Sequence, residues 1–470
     1  IKKADAGSSI TVVTDRENID TANVENVYKV LNSLAGKLYY EEAKEGKTNL
    51  TGKAMIAEGL TASSQSVKME DILFKQDTGQ GSVAAPTPPP VPSELDTQEQ
   101  IAELGSSSES QRDFWKDKGV ADENGNYTFS QDAILRTDVE HGKWTMDRRY
   151  MGNILVGYQS PAAGVHIDMQ RHKLTLHALA NGAPGNLLTG MAAVGGDLEI
   201  KNVGGLAINL SGDKRTESAI YAAGTVDRGA NLVINNDNSK EQAVQIRNTG
   251  INVNEAAIKA RGTAGAARVD IKGLVDIEQE AKSLLHAEED AAIRIGGGRI
   301  IAKGNLTQAV KIVDNGKVYL NAEEEGDAVK ATSTERDVEI EGNVLLSGNG
   351  GVFGAALNRD GSYLKGLVGT DGGNGKARLL LSHGARWMNT SVGNRDGEYA
   401  SHLSHLKADN GAIFQEDSKT LTIDKYSGTG KLFYRHTGDG TRPEDYAGGD
   451  THIKKADAGS SITVVTDREN

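Results

Sequence analysis

The chain has 470 residues, 56 of them Gly, with 37% hydrophobic and 5% aromatic residues, a formal net charge of −13 and no Cys. So few large apolar side chains cannot fill a thick globular core, but they can fill a thin one in which small and β-branched residues repeat along an axis. The charge argues against partners that need a basic face, nucleic acid and anionic lipid; the missing Cys excludes disulfide staples and thiolate metal centres.

Ile1–Asn18 returns letter for letter as Ile453–Asn470, a period of roughly 452 residues. The repeat predicts one module of a tandem array: 1–18 as an inter-module strand segment and 453–470 as the start of the next module. Residue 1 is then not a biological N-terminus. No apolar run approaches the roughly 20 residues of a membrane-spanning helix, and no signal peptide opens the chain.

In chain order, Ile10–Thr14 reads as a strand after the small residues Ala6–Ser9. Val24, Val27, Tyr28, Leu31, Leu34 and Leu38 follow a 3.6-residue period and predict an amphipathic helix, with Asp20 or Thr21 as its cap. Strand-like stretches follow at Lys53–Glu58 and Asp71–Phe74, so 19–80 is expected to be a small α+β connecting or capping element. Pro86, Pro88, Pro89, Pro90 and Pro92, with the serines of 106–110, mark 81–120 as a linker or projecting loop.

From about residue 121 to 452 a strand–turn–strand rhythm takes over. One strand type recurs as Ala219–Ala222, Ala243–Ile246, Ala257–Ala260, Ala292–Ile295, Ala309–Ile312 and Ala328–Ala331. A second alternating strand follows each, at Leu232–Ile234, Ile251–Val253, Val269–Ile271, Ile300–Ala302, Val318–Leu320 and Val338–Ile340. Leu206–Ile208, Val275–Ile277 and Val344–Leu346 add to them, and Gly, Asn and Asp fill the corners, where positive φ is needed. Short period-two strands in a cycle of roughly 20 to 30 residues predict a parallel β-solenoid. Lys259, Arg294, Lys311 and Lys330 then face outward. An antiparallel sandwich is the structural alternative; it would show hairpin turns and a more aromatic core. The fold class expected is all-β, a right-handed parallel β-helix over 121–450 with the small α+β element at one end. About 13–16 coils would make a rod of about 60–80 Å.

Ala385–Asn389, Ser404–Leu406, Gly411–Gln415, Leu421–Gly428 and Leu432–Gly438 together resemble the C-terminal end of passenger domains in pertactin-like (type V) autotransporters. Leu31–Tyr40, Asn49–Gly52, Ile56–Ser64 and the stretch opening Gly125-Asn126-Tyr127-Thr128-Phe129 resemble a connecting block of large autotransporter surface proteins of Veillonella- and Selenomonas-type anaerobic diderm Firmicutes. The two blocks cover about half of the chain; the central coils match in pattern alone. The resemblance implies an extracellular passenger module, anchored at the outer membrane through a translocator barrel that this chain does not contain. The absence of Cys fits a chain that crosses a narrow pore unfolded.

Polysaccharide lyases and hydrolases also use β-helices, so a glycan-cleaving enzyme is the rival expectation. Its acidic candidates are Glu323-Glu324-Glu325-Gly326-Asp327 and Glu288-Glu289-Asp290, which read as solvated corners before strands. His166, His172 and His177, and His402 with His405, have no metal-ligand spacing. Gly296-Gly297-Gly298 joins two strands rather than a strand and a helix, so it is no phosphate loop, and neither a Gly-x-Ser-x-Gly elbow nor a calcium repeat occurs. The expectation is a structural and adhesive module that is not an enzyme, with no catalytic, cofactor or metal residues and no cofactor. Its expected partners are neighbouring copies of the module end to end and an unidentified host, bacterial or glycan ligand.

Overall fold

The computed structural model divides the chain into two units, Ile1–Pro90 and Val91–Asn470. In the first it describes residues 10–14, 38–43 and 50–57. In the second it describes most residues from 94 to 466; its longer gaps are 98–103, 139–149, 158–163, 181–186, 393–399 and 437–445.

In the first unit Ile10–Thr14 runs parallel to Leu38–Ala43, which pairs antiparallel with Leu50–Ala57. The expected strand at Ile10–Thr14 is present, and of the one expected at Lys53–Glu58, Lys53–Ala57 lies within Leu50–Ala57. Leu38, expected to end the helical stripe, instead begins a strand. The rest of that helix and the strand at Asp71–Phe74 lie outside the described residues.

The second unit is all-β with parallel sheets, one of 8 strands and one of 21. Its strands pair in register with strands one cycle away in sequence, and three columns of inward side chains result. In the 8-stranded sheet the column is Ile154, Met191, Ile220, Ile258, Leu285, Val310, Val344 and Val368, all buried. A second runs Tyr127, Ile167, Ile200, Ile234, Ile271, Ile295, Leu320, Ala355, Leu379, Leu406 and Tyr426. The third runs Leu135, Leu176, Ile208, Ile246, Ile277, Ile300, Ile340, Leu364, Trp387, Ile413, Leu432 and Val464. Each member sits about 4.8 Å from the next, so β-branched and Leu side chains cover one another and exclude water without a thick core. Among the described residues the third column has twelve levels, and Leu95–Asp96, paired with Ala133–Ile134, adds a thirteenth beneath Leu135.

The second and third columns share one sheet because several strands run through the corner between them. Ala292–Ala302 does so at Gly296-Gly297-Gly298, the triplet expected to join two strands. Gly298 has φ +107°, and a Cβ there would stand 2.0 Å from the Val275 carbonyl oxygen. Only Gly tolerates both that backbone and that approach.

Of the strands expected from residue 121 onward that fall on described residues, all but one lie in these parallel ladders. The exception is Ala328–Ala331, which forms an antiparallel hairpin with Ala322–Glu325. Lys259, expected to face solvent, is 9% exposed and paired with Glu288 at 3.4 Å.

The segment expected to be a linker, 81–120, is partly built into the second unit. Leu95–Asp96 pairs with Ala133–Ile134, and Leu104 bridges to Ile154. The helix Glu109–Asp117 buries Trp115, whose ring meets Tyr127 and Phe129 edge-on at 6.5 and 6.1 Å. Polar composition outside the helix hid this: one Trp on a nine-residue helix is enough to close an open sheet end, where unpaired strand edges would otherwise face water. The second unit thus covers its own first levels.

The opposite end is made by the repeated segment. Thr451–Ile453 adds to Leu421–Ile423, Ala456 bridges to Tyr426, and Ser461–Thr466 lies parallel on Thr429–Tyr434. Tyr426 Oη donates to the Ser461 carbonyl at 2.8 Å, and Lys454 Nζ meets Asp424 at 2.8 Å. No helix among the described residues is long and apolar enough to cross a membrane.

Candidate ligand groove

The most chemically loaded surface lies outside the second column, one residue before each inward side chain. Asp270, Arg294 and Tyr319 precede Ile271, Ile295 and Leu320, and register places the three side by side on the outer face. Arg268 and Lys272 flank Asp270 on its own strand, and both donate to its carboxylate, Lys272 at 2.7 Å. The Arg294 guanidinium lies 5.5 Å from the centre of the Tyr319 ring.

The Ala322–Ala331 hairpin rises beside this row as a wall. Its base is held by Asn321, whose side chain is fully buried. Asn321 Nδ2 donates to the Ser333 carbonyl (2.9 Å) and Asn358 Oδ1 (3.0 Å); its Oδ1 accepts from Thr332 Oγ1 and Ser333 N, both at 2.9 Å. Ala322 and Val329 pack on Tyr319, Val352, Ala356 and Leu380. Charge fastens the outer part: Tyr319 Oη donates to Glu324 at 2.7 Å, Arg378 donates to Glu324 at 3.1 Å, and Lys407 donates to Glu325 at 3.2 Å. The Tyr319 hydrogen bond and the Arg378 charge hold the Glu324 carboxyl below the usual range. Burial, then Glu324, raises the Tyr319 phenol.

Row and wall enclose a groove of about 670 Å³, lined by Arg268, Lys272, Arg294, Lys317 and Arg336 against Asp270, Glu323 and Glu324. In a chain of net charge −13 this is a local excess of cation. With Asp270 and Glu324 already satisfied by their neighbours, the exposed Arg294 and Lys317 are the groups best placed for an anionic ligand. Guanidinium and ammonium groups at adjacent levels suit carboxylate or sulfate groups spaced along a polymer.

The acidic runs are solvated corners only in part: Gly326-Asp327 and Glu289-Asp290 are turn residues directly before strands, while the remaining carboxylates lie in strands. Glu323, Glu324 and Glu325 form a hairpin strand, and each carboxylate has a cation: Lys330, Arg378 and Lys407. Glu288 meets Lys259 at 3.4 Å and Arg261 at 3.3 Å. The first three histidines are not brought together. His166 pairs with Glu199 and His172 with Asp132, while burial and Arg136 lower the pKa of His177. His402 pairs with Asp424 and His405 with Ser427. Among the described residues no group of three or more His, Asp or Glu side chains could hold a metal.

Arg294 is legible in the sequence as an outward charge; the groove is not. The available signal was phase: charged or aromatic residues just before the inward Ile or Leu of three successive strands. The register that aligns those strands is set by loops of unequal length and was not readable. Comparison of the chain with known families, characterised proteins and solved structures finds no match.

Proposed function

We propose that the second unit is a right-handed parallel β-helix, and that the protein is a structural and adhesive module of an extended bacterial surface passenger of the autotransporter kind. The observation that carries this reading is the three columns advancing level by level together, each cycle of the chain adding a strand to each in turn, which a chain achieves by coiling. The right hand follows from the preference of parallel crossovers. Thirteen levels at about 4.8 Å give a rod of about 58 Å for this unit. The surface-passenger assignment rests on the resemblance of the closing and connecting blocks. The adhesive part is assigned to the cationic groove, with an acidic glycan as the ligand class.

The rival, a glycan-cleaving enzyme, needs a carboxyl free to exchange a proton beside the scissile bond. Asp270 and Glu324 in the groove are instead engaged by Arg268, Lys272, Tyr319 and Arg378, which favours holding over cleaving. An array of uronate-containing and sulfated glycans tests the reading. Binding should fall at least tenfold in the Arg294→Ala/Lys317→Ala double variant and weaken with salt. Release of shortened glycan by the intact protein would refute the non-enzymatic reading, and binding unchanged in the double variant would refute the groove.

A further inference from the structure

The repeated segment is paired differently in its two places. Near the end of the chain Ser461–Thr466 lies on Thr429–Tyr434, with Ile462 opposite Gly430 and Val464 opposite Leu432. Near its start the identical Ile10–Thr14 lies on Leu38–Ala43, with Ile10 opposite Leu38 and Val12 opposite Tyr40. Each copy is shown with one parallel partner, and a strand has two edges.

The two ends of the second unit are also unlike. Its first levels are covered by Leu104 and by the buried Trp115 of Glu109–Asp117. Its last level leaves Val464 58% exposed, although Val464 continues the buried column directly above Leu432. The strand Ser461–Thr466 itself carries neither a charged side chain nor a bulge against Thr429–Tyr434, the devices that usually protect a terminal strand.

We propose that a single copy of this segment serves both partners at once. Seated on the last level of one module by one edge, it receives on the other the Leu38–Ala43 strand of a second copy of the chain, so that modules add end to end by parallel strand addition. Carrying over the register of the first unit, Leu38 of the second copy stands opposite Ile462, and Tyr40 opposite Val464. The column that ends at Val464 is thereby continued into the next module. The inference builds on the reading of the chain as a rod module, but its test does not depend on ligand binding or on the shape of the rod.

In the intact chain Ile10–Thr14 already occupies Leu38–Ala43, so the protein should be monomeric. Removing residues 1–18 opens that edge to Ser461–Thr466 of another molecule. Size-exclusion chromatography with light scattering should then show concentration-dependent chains, returned to monomer by excess peptide of the sequence Ile453–Asn470. If the truncation unfolds the first unit, Val12→Asp in the intact chain weakens the first copy alone and should give the same chains. Because the protein has no Cys, Tyr40→Cys with Val464→Cys in the truncated chain should produce an intermolecular disulfide ladder on mild oxidation, and Tyr39→Cys with Val464→Cys should not. Lys431→Cys with Thr463→Cys, register partners on the outer face, ties the segment to its own last level, and chain formation should survive that tether. Monomers from both the truncation and Val12→Asp, or chains abolished by the tether, would overturn the proposal, the latter by making the two pairings alternatives.

Discussion

Replacing Asn321 by Ala should detach the hairpin that walls the groove and destabilise the second unit by about 4 kcal/mol. The Asn321 side chain is fully buried and serves four close partners: the Ser333 carbonyl, Asn358 Oδ1, Thr332 Oγ1 and Ser333 N. A typical hydrogen bond contributes about 1 kcal/mol net, and a buried group left without a partner costs about 1–3 kcal/mol. Ser333 N and Asn358 are the groups with least access to water after the change. The backbone adds to this: Asn321 has φ +48°, a left-handed conformation that Asn tolerates and Ala resists by about 1 kcal/mol. Asn321→Asp separates the two effects. It keeps the shape, the φ tolerance and the acceptor for Thr332 and Ser333 N, but turns an acceptor toward the Ser333 carbonyl. Folding then favours the protonated acid, so the folded pKa lies above the unfolded one. The deficit of N321D should be full at neutral pH and shrink as pH falls through the folded pKa. Urea unfolding followed by far-UV circular dichroism gives the free energies, and limited proteolysis at Glu325–Asp327 reports the hairpin itself. A loss below about 1 kcal/mol for N321A, with cleavage no faster than in the parent, would refute the account of Asn321 as the clamp.

Trp387→Ala should cost about 3–5 kcal/mol, because the ring is buried in the third column between Leu364 and Ile413. Trp387→Phe should cost about 1–2 kcal/mol for the lost Nε1–H bond to the Gly366 carbonyl, and equal losses in urea titrations would contradict this ranking. His286 has a pKa lowered to about 3 by burial, then by Lys259, Lys311 and Arg261. It folds neutral, so its contribution is full above its unfolded pKa of about 6.5 and is lost as pH falls from there toward 3. His286→Gln should flatten the stability profile between pH 6 and 4, and an unchanged slope would remove His286 as its cause. Deleting 454–470 uncovers Tyr426 and Leu432, each worth roughly 1.5–3 kcal/mol when fully buried, and should lower the melting temperature by several degrees. An unchanged melting temperature would mean that the segment does not support the last level.

The strands are legible in the sequence because a thin apolar column leaves a local trace: an inward Ile or Val every second residue. Ile234, Ile271, Ile295 and Leu320 announce themselves in this way and do meet in one column. Two kinds of feature left no such trace. The Ala-Val-x-Ile pattern serves different ladders, since Ala257–Ala260 lies in the 8-stranded sheet, Ala292–Ile295 in the 21-stranded one and Ala328–Ala331 in a hairpin. Period two describes a half-buried strand but not its neighbour. The groove also depends on pairs far apart in sequence, such as Arg378 with Glu324 and Lys407 with Glu325, which only the register brings together. The closing helix was hidden by its polar surroundings, and Trp115 alone was the clue.

Register itself has a physical source in the same charges that line the groove. A slip of two residues keeps every apolar side chain inward, so the columns do not exclude it. The outer face does. Arg294 stands opposite Asp270, and a slip of two in either direction would set it against Arg268 or Lys272. Like charges side by side on neighbouring strands are unfavourable where the native pair is attractive. Partly exposed ion pairs contribute little to stability by count. Here the alternation Arg268, Asp270, Lys272 discriminates between registers that the apolar residues leave nearly equal. At the last level the surface changes: Ser461–Thr466 carries no charge at all, and Thr463 stands opposite Lys431 on the outer face. A terminal strand without charge neither repels an incoming strand nor fixes its register. On the proposed joint, the alternation of Ile462 and Val464, matched against Leu38 and Tyr40 of the next copy, sets which face of the incoming strand turns inward.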